Sequence, residues 1–158
     1  MSDDRCAYGH VRVFVELGPS GKPVHEELPA KILKNNDYEV LGSPVLTYGF
    51  AAGDRLRVAD DGTFDVLERG GNLCIRVFPT ARLTDAGINA LTTRFEKLDG
   101  LVEIPPDLRF IVITVPVAVG FPAVEDAVRE WAAGHDSDWE YGNVHDEQGK
   151  PLGWWAND

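Results

Sequence analysis

Phe110-Ile111-Val112-Ile113-Thr114-Val115-Pro116-Val117 is the stretch on which the fold turns. It is rich in β-branched residues and offers water no polar face, so it suits a central strand buried on both sides. On its N-terminal side, Leu101-Val102-Glu103-Ile104 is a short strand stopped by Pro105-Pro106. On its C-terminal side, Phe121-Pro122 opens a helix with proline near the first helical position. Val124, Ala127, Val128 and Trp131 line the inner stripe of that helix, and Gly134 ends it. Further upstream, Thr84-Asp85 caps another helix in which Ile88, Leu91, Phe95 and Leu98 share one face, with Gly100 beyond its end. Leu73, Ile75 and Val77 build a strand ending at Pro79, and Trp139 to Val144 gives a last strand. The order is strand, helix, strand, strand, helix, strand, the split βαβ or ferredoxin-like arrangement. It predicts a four-stranded antiparallel sheet over Leu73 to Val144, with both helices on one face and the Phe110 strand inside.

The preceding residues carry strand and turn signals. Val11, Val13, Val15 and Leu17 alternate with His10, Arg12, Phe14 and Glu16, and Gly18-Pro19-Ser20-Gly21 makes a turn. Tyr38-Glu39-Val40-Leu41 is a second short strand, closed by Gly42-Ser43-Pro44. Arg55 to Ala59 and Thr63 to Leu67 flank Asp60-Asp61-Gly62, a strong local hairpin signal. Arg69-Gly70-Gly71-Asn72 punctuates the chain before the periodicity changes. The expected fold is α+β: a small N-terminal antiparallel β-sheet or partial barrel over residues 1–70, packed on a C-terminal βαββαβ ferredoxin-like unit over residues 71–158 as one compact body. The tail carries Trp154-Trp155, which reads as a clamp over the core or as a sticky end.

The polar start Met1-Ser2-Asp3-Asp4-Arg5 is followed by no apolar signal region, and Phe110 to Phe121 is too short to span a bilayer. The expected location is cytoplasmic. Cys6 and Cys74 fit a reducing compartment: Cys74 lies in an apolar strand, Cys6 near the terminus, and neither belongs to a CxxC pair. The formal net charge is −11, and it is unevenly spread. From Leu101 onward there are eleven acids against Arg109, Arg129 and Lys150. Such a surface repels nucleic acid and anionic membrane and steers a basic partner toward itself; it also serves plain solubility.

No phosphate-binding loop is present, since Gly70-Gly71-Asn72 precedes a strand and opens no helix. There is no GxSxG elbow and no HExxH, and no residue is assigned a catalytic role. His10 and His25 read as structural. The densest polar group is His135-Asp136-Ser137-Asp138, followed by Glu140, His145, Asp146 and Glu147. Its spacing matches no EF-hand, so no metal and no cofactor is expected; His135, Asp136, Asp138 and His145 would be the first ligands to suspect. Trp139-Glu140-Tyr141 alternates aromatics with a carboxylate. The aromatics either pack onto the sheet or anchor a partner, because Trp and Tyr are favoured interface residues.

Tyr38 to Asp54 resembles a bacterial family catalogued as domain of unknown function 4265. The resemblance rests on Pro44, Tyr48-Gly49 and Gly53-Asp54, followed by Asp60-Asp61-Gly62 and the Glu68-Arg69-Gly70-Gly71 corner. It covers residues 8 to 146 in layout. The family often has serine where Gly70 stands here, so no role of that serine carries over, and the resemblance implies no established activity.

The functional expectation is a non-enzymatic acidic binding protein, an immunity protein or antitoxin that neutralises a bacterial toxin by occluding its active site. Its partner would be a basic toxin domain, with neither nucleic acid nor membrane bound. The expected interface is Asp136, Asp138, Trp139, Glu140, Tyr141, Asp146 and Glu147, with the sheet edge around Asp60 to Glu68 as the second candidate surface. The alternatives are a regulatory domain holding a small ligand between the halves, or an enzyme of unrecognised type.

Overall fold

The computed structural model describes residues 7–105 and 110–156, in which the chain builds two antiparallel sheets and two helices. The first sheet is a meander in chain order: β1 (Ala7–Leu17), β2 (Pro23–Ile32), β3 (Asp37–Val40), β4 (Arg55–Val58) and β5 (Phe64–Glu68). Alternate residues point inward, so Val11, Val13, Leu28, Ala30, Val40, Leu56 and Val58 gather around Phe50 in one apolar cluster. The alternation of β1 is interrupted by an irregularity between Phe14 and Glu16, which leaves Leu17 exposed.

Strand β2 is absent from the sequence reading, and two residues explain why. Its inward positions are Glu26, Leu28 and Ala30. A carboxylate at the first of them hides the alternation that would announce a strand, and Pro29 on the outward face further weakens the signal. Asp37 opens β3 as a second buried acid. Arg57 Nε lies 2.8 Å from its Oδ1 and Arg55 Nη2 3.1 Å from its Oδ2, and the hydrogen bond from Arg57 is the main reason its carboxyl is held below the usual aspartate range. The Asp60-Asp61-Gly62 turn joins β4 to β5 as expected. Gly62 has φ +91°, and a Cβ there would meet the His25 ring at 2.8 Å.

The second sheet comprises β6 (Asn72–Pro79), β7 (Leu101–Glu103), β8 (Ile111–Pro116) and β9 (Ser137–Tyr141), in the order β7-β8-β6-β9. Strand β8 is interior, as its sequence requires. Helices α1 (Asp85–Glu96) and α2 (Phe121–Ala133) contribute Leu91, Phe95, Val124, Val128 and Trp131 to one core with Leu73, Ile75, Val77, Ile111, Ile113 and Val115. The alternate residues of β6 and β8 face the other way. There Cys74 and Val112 are buried against Ala51, and Ser43 Oγ lies 2.6 Å from Thr114 Oγ1. The unbroken apolar run of β8 is thus explained: helices cover one face and the first half of the chain covers the other.

The Thr84 hydroxyl accepts from Gly87 N at 3.0 Å and caps α1, and Gly100 lies beyond the end of the helix as expected, after a left-handed Asp99 (φ +60°). The last strand ends at Tyr141, three residues earlier than expected. Beyond Gly142 a side chain replaces the ladder: Asn143 Oδ1 accepts from Cys74 N at 2.9 Å, and its Nδ2 donates to Asn72 O at 2.9 Å. Trp154 and Trp155 act as the clamp. Trp154 Nε1 donates to Asn143 O at 2.9 Å, and Trp155 meets Phe121 edge to face. Cys6 and Pro106 lie outside the described residues. Among those described, no helix is long and apolar enough to cross a membrane.

Candidate functional site

The two sheets are joined by the connection between β3 and β4, and three buried polar side chains hold it. Glu26, from β2, accepts hydrogen bonds from Val45 N (2.6 Å), Leu46 N (3.0 Å), Thr47 N (2.9 Å) and Thr47 Oγ1 (2.7 Å). Arg76, from β6, is only 1% exposed; it donates through Nε to Pro44 O at 3.3 Å and through Nη2 to Thr47 O. Asp54 accepts from Ala51 N at 3.0 Å and Gly70 N at 2.7 Å, with Arg69 Nη1 at 3.5 Å. Burial raises the Asp54 carboxyl above its usual range despite those donors. A connection whose backbone is satisfied from two sheets at once is rigid, not a surface flap.

Tyr48 stands at its crest. The residue is 54% exposed, the Arg76 guanidinium lies 4.3 Å from its ring centroid, and its hydroxyl donates to Glu140 Oε2 at 2.6 Å. Glu140 also lies 3.7 Å from Arg76 Nη1. Burial, and next the Glu140 carboxylate, raise the Tyr48 hydroxyl above its ordinary pKa. The buried Cys74 thiol is pushed up to about 11 by desolvation. Neither group is poised as a nucleophile near neutral pH, because each is held in its protonated form.

The expected interface residues fall on different faces. Asp138 and Glu140 pair with Phe78 and Arg76 of β6 and so face the first half of the chain, whereas Trp139 and Tyr141 pair with Val77 and Ile75 on the helix side. Trp139 meets Tyr141 edge to face, and Tyr141 Oη donates to Glu125 Oε2 at 3.0 Å. Asp136 precedes β9 with φ +49°, a left-handed conformation that aspartate tolerates. Asp146 Oδ1 accepts from Gln148 N and Lys150 N, each at 2.9 Å, and shapes the turn that follows. His135 stacks on Trp131 with centroids 4.1 Å apart, and its Nδ1 lies 2.7 Å from Trp131 O. Among the described residues no group of three His, Cys, Asp or Glu side chains is placed to hold a metal ion.

What the structure does bring together is a groove on the boundary between the sheets. One part, of about 640 Å³, is walled by Phe14, Leu46, Tyr48, Phe64 and Leu152 with Glu16 and Glu147. An adjoining part, of about 560 Å³, is walled by Trp139, Glu140 and Tyr141. Tyr48, His145 and Asp146 belong to both. Of the seven expected residues, Trp139, Glu140, Tyr141, Asp146 and Glu147 line this groove; Asp136 and Asp138 do not. Sequence reasoning missed its opposite wall and the Glu26 and Arg76 beneath it. The one available signal was an arginine inside the apolar run Leu73-Cys74-Ile75-Arg76-Val77, which must find buried acceptors.

The sequence model of the family described as Domain of unknown function (DUF4265) matches residues 26–139. The chain belongs to the DUF4265 family. No curated protein matches it. Its structure is similar to one described as "Novel crystal structure of a hypothetical protein from Neisseria gonorrhoeae", with TM-score 0.65 and 11% identity, covering 86% of this chain and 94% of that one. At that identity the likeness speaks for the fold alone. The DUF4265 match begins at Glu26, the buried acid that holds the connection. The motif residues are joinery as well: Gly53 N donates to Val40 O, Gly49 N donates to Gly142 O at 2.8 Å, and Asp54 caps Gly70. At Gly70 a Cβ would lie 2.5 Å from Gly53 O, so no side chain fits there without a backbone shift.

Proposed function

We propose that this DUF4265 member is a non-enzymatic, cytoplasmic binding protein for a basic partner, and specifically an immunity protein that occludes the active cleft of a basic toxin domain. The observation that carries it is the acidic stretch from Asp136 to Glu147, which contains no Lys or Arg. Asp136, Asp138, Asp146 and Glu147 are exposed, and none is in an ion pair with another described residue. Their field speeds encounter with a basic surface over a screening length of roughly 8 Å at physiological salt. Trp139 supplies the apolar anchor that charge lacks. We also propose that β6 to β9 with α1 and α2 form a ferredoxin-like unit; the sheet order and the shared helix face support it.

The test measures association and dissociation of a partner recovered from the native cell. Asp138→Lys combined with Asp136→Asn is expected to slow association several-fold, the effect fading as salt rises; asparagine is chosen because residue 136 is left-handed. Trp139→Ala, once its circular dichroism matches the parent, is expected to raise the dissociation rate, with a loss of about 2 kcal/mol in binding. Unchanged kinetics in both variants would remove this surface from the interface.

A further inference from the structure

We propose that the groove between the two sheets seats an extended segment of the partner protein in which basic and apolar side chains alternate. This rests on the reading of the chain as a binder of a basic partner, and adds where the partner enters and what chemistry it brings. The groove floor is apolar and open: Leu46 is 46% and Tyr48 54% exposed, although both stand on a connection tied down by Glu26 and Arg76. An exposed apolar surface on a fixed backbone is preorganised, so binding loses little conformational freedom. The rim is acidic, with Glu16, Glu140, Asp146 and Glu147, and neither part of the groove is lined by a Lys or Arg. Glu140 is partly neutralised by Arg76 beneath it, which leaves the net field to the other three.

Acid above and apolar surface below select a segment that offers both cations and hydrocarbon. An acidic segment is repelled, and a purely polar basic one leaves the floor wet. The two parts of the groove share Tyr48, His145 and Asp146, so the seat is longer than one side chain needs, and an extended chain rising about 3.3 Å per residue places alternate side chains in both. Tyr48 marks the midpoint. Its outer ring face is available to a cation or an apolar side chain, while its inner face is taken by Arg76.

Three acetylated, fluorescein-labelled hexapeptides test this against the full chain: alternating arginine–leucine, arginine–serine and glutamate–leucine. At physiological salt the arginine–leucine probe is expected to bind about tenfold or more tighter than either of the others. Leu46→Ser, a change at an exposed position, should weaken that probe about tenfold, and Glu147→Lys should weaken it by an amount that shrinks as salt rises. Equal binding of the two arginine probes, no binding of any probe, an unaffected Leu46→Ser variant, or full displacement by free arginine amide would each overturn the proposal. With the native partner, sensitivity to Asp138→Lys without sensitivity to Leu46→Ser moves the seat off the groove while leaving the acidic binder standing. Insensitivity to both removes both.

Discussion

Arg76→Met is expected to lower folding stability by about 3 kcal/mol, a large share of the roughly 5–15 kcal/mol available to a domain. Methionine fills the volume of the arginine stem, so the loss is polar. The carbonyls of Pro44 and Thr47 lose their buried donor, and Glu140 loses the cation 3.7 Å away. Because Glu140 is half-exposed, water takes up part of that last loss, and the two carbonyls carry most of the effect. Glu26 holds the same Thr47 from its amide and hydroxyl side. Glu26→Gln and Arg76→Met should therefore couple by more than about 0.5 kcal/mol in a double-mutant cycle. Urea unfolding measures both quantities. A single-variant cost below about 1 kcal/mol would show that the connection is held by something else.

Gly70→Ala is expected to cost about 3 kcal/mol and to lower the melting temperature by roughly 6–12 °C for a chain of this size. The effect is steric, since the added Cβ meets Gly53 O at 2.5 Å and Gly53 C at 2.6 Å, backbone atoms that no rotamer change can move. The neighbouring glycine is an internal control. Gly71 has φ +88° but open space around its Cα, so Gly71→Ala meets only backbone strain, about 1 kcal/mol. Calorimetry that ranks Gly71→Ala as the worse variant would contradict this packing of the corner.

The second half of the fold was legible because its elements follow simple periods. Leu91 and Phe95 mark one helix, Val124, Val128 and Trp131 the other, and the run from Ile111 can only be interior. The first half was less legible where polar groups are buried. Glu26 occupies an inward strand position and made β2 invisible, and Asn143 replaces strand pairing with its side chain and shortened β9. The candidate site was legible along one edge. Trp139, Glu140, Tyr141, Asp146 and Glu147 fall in one short stretch of sequence, whereas Phe14, Leu46 and Tyr48 reach the same groove only through tertiary contacts between the sheets. Strand alternation also split the expected patch, sending Trp139 and Tyr141 to one face and Asp138 and Glu140 to the other.

Hydroxyl-radical footprinting of the protein with its native partner bound tests the central claim most directly, since Leu46, Tyr48 and Trp139 are reactive residues that line the groove and are not fully buried. If the acidic groove is the interface, all three should be protected several-fold on binding. Exposed Leu101 in β7 and Leu67 in β5 should keep their free-state reactivity. Protection confined to Leu101 or Leu67, with Leu46, Tyr48 and Trp139 reacting as in the free protein, would place the partner elsewhere and contradict the claim.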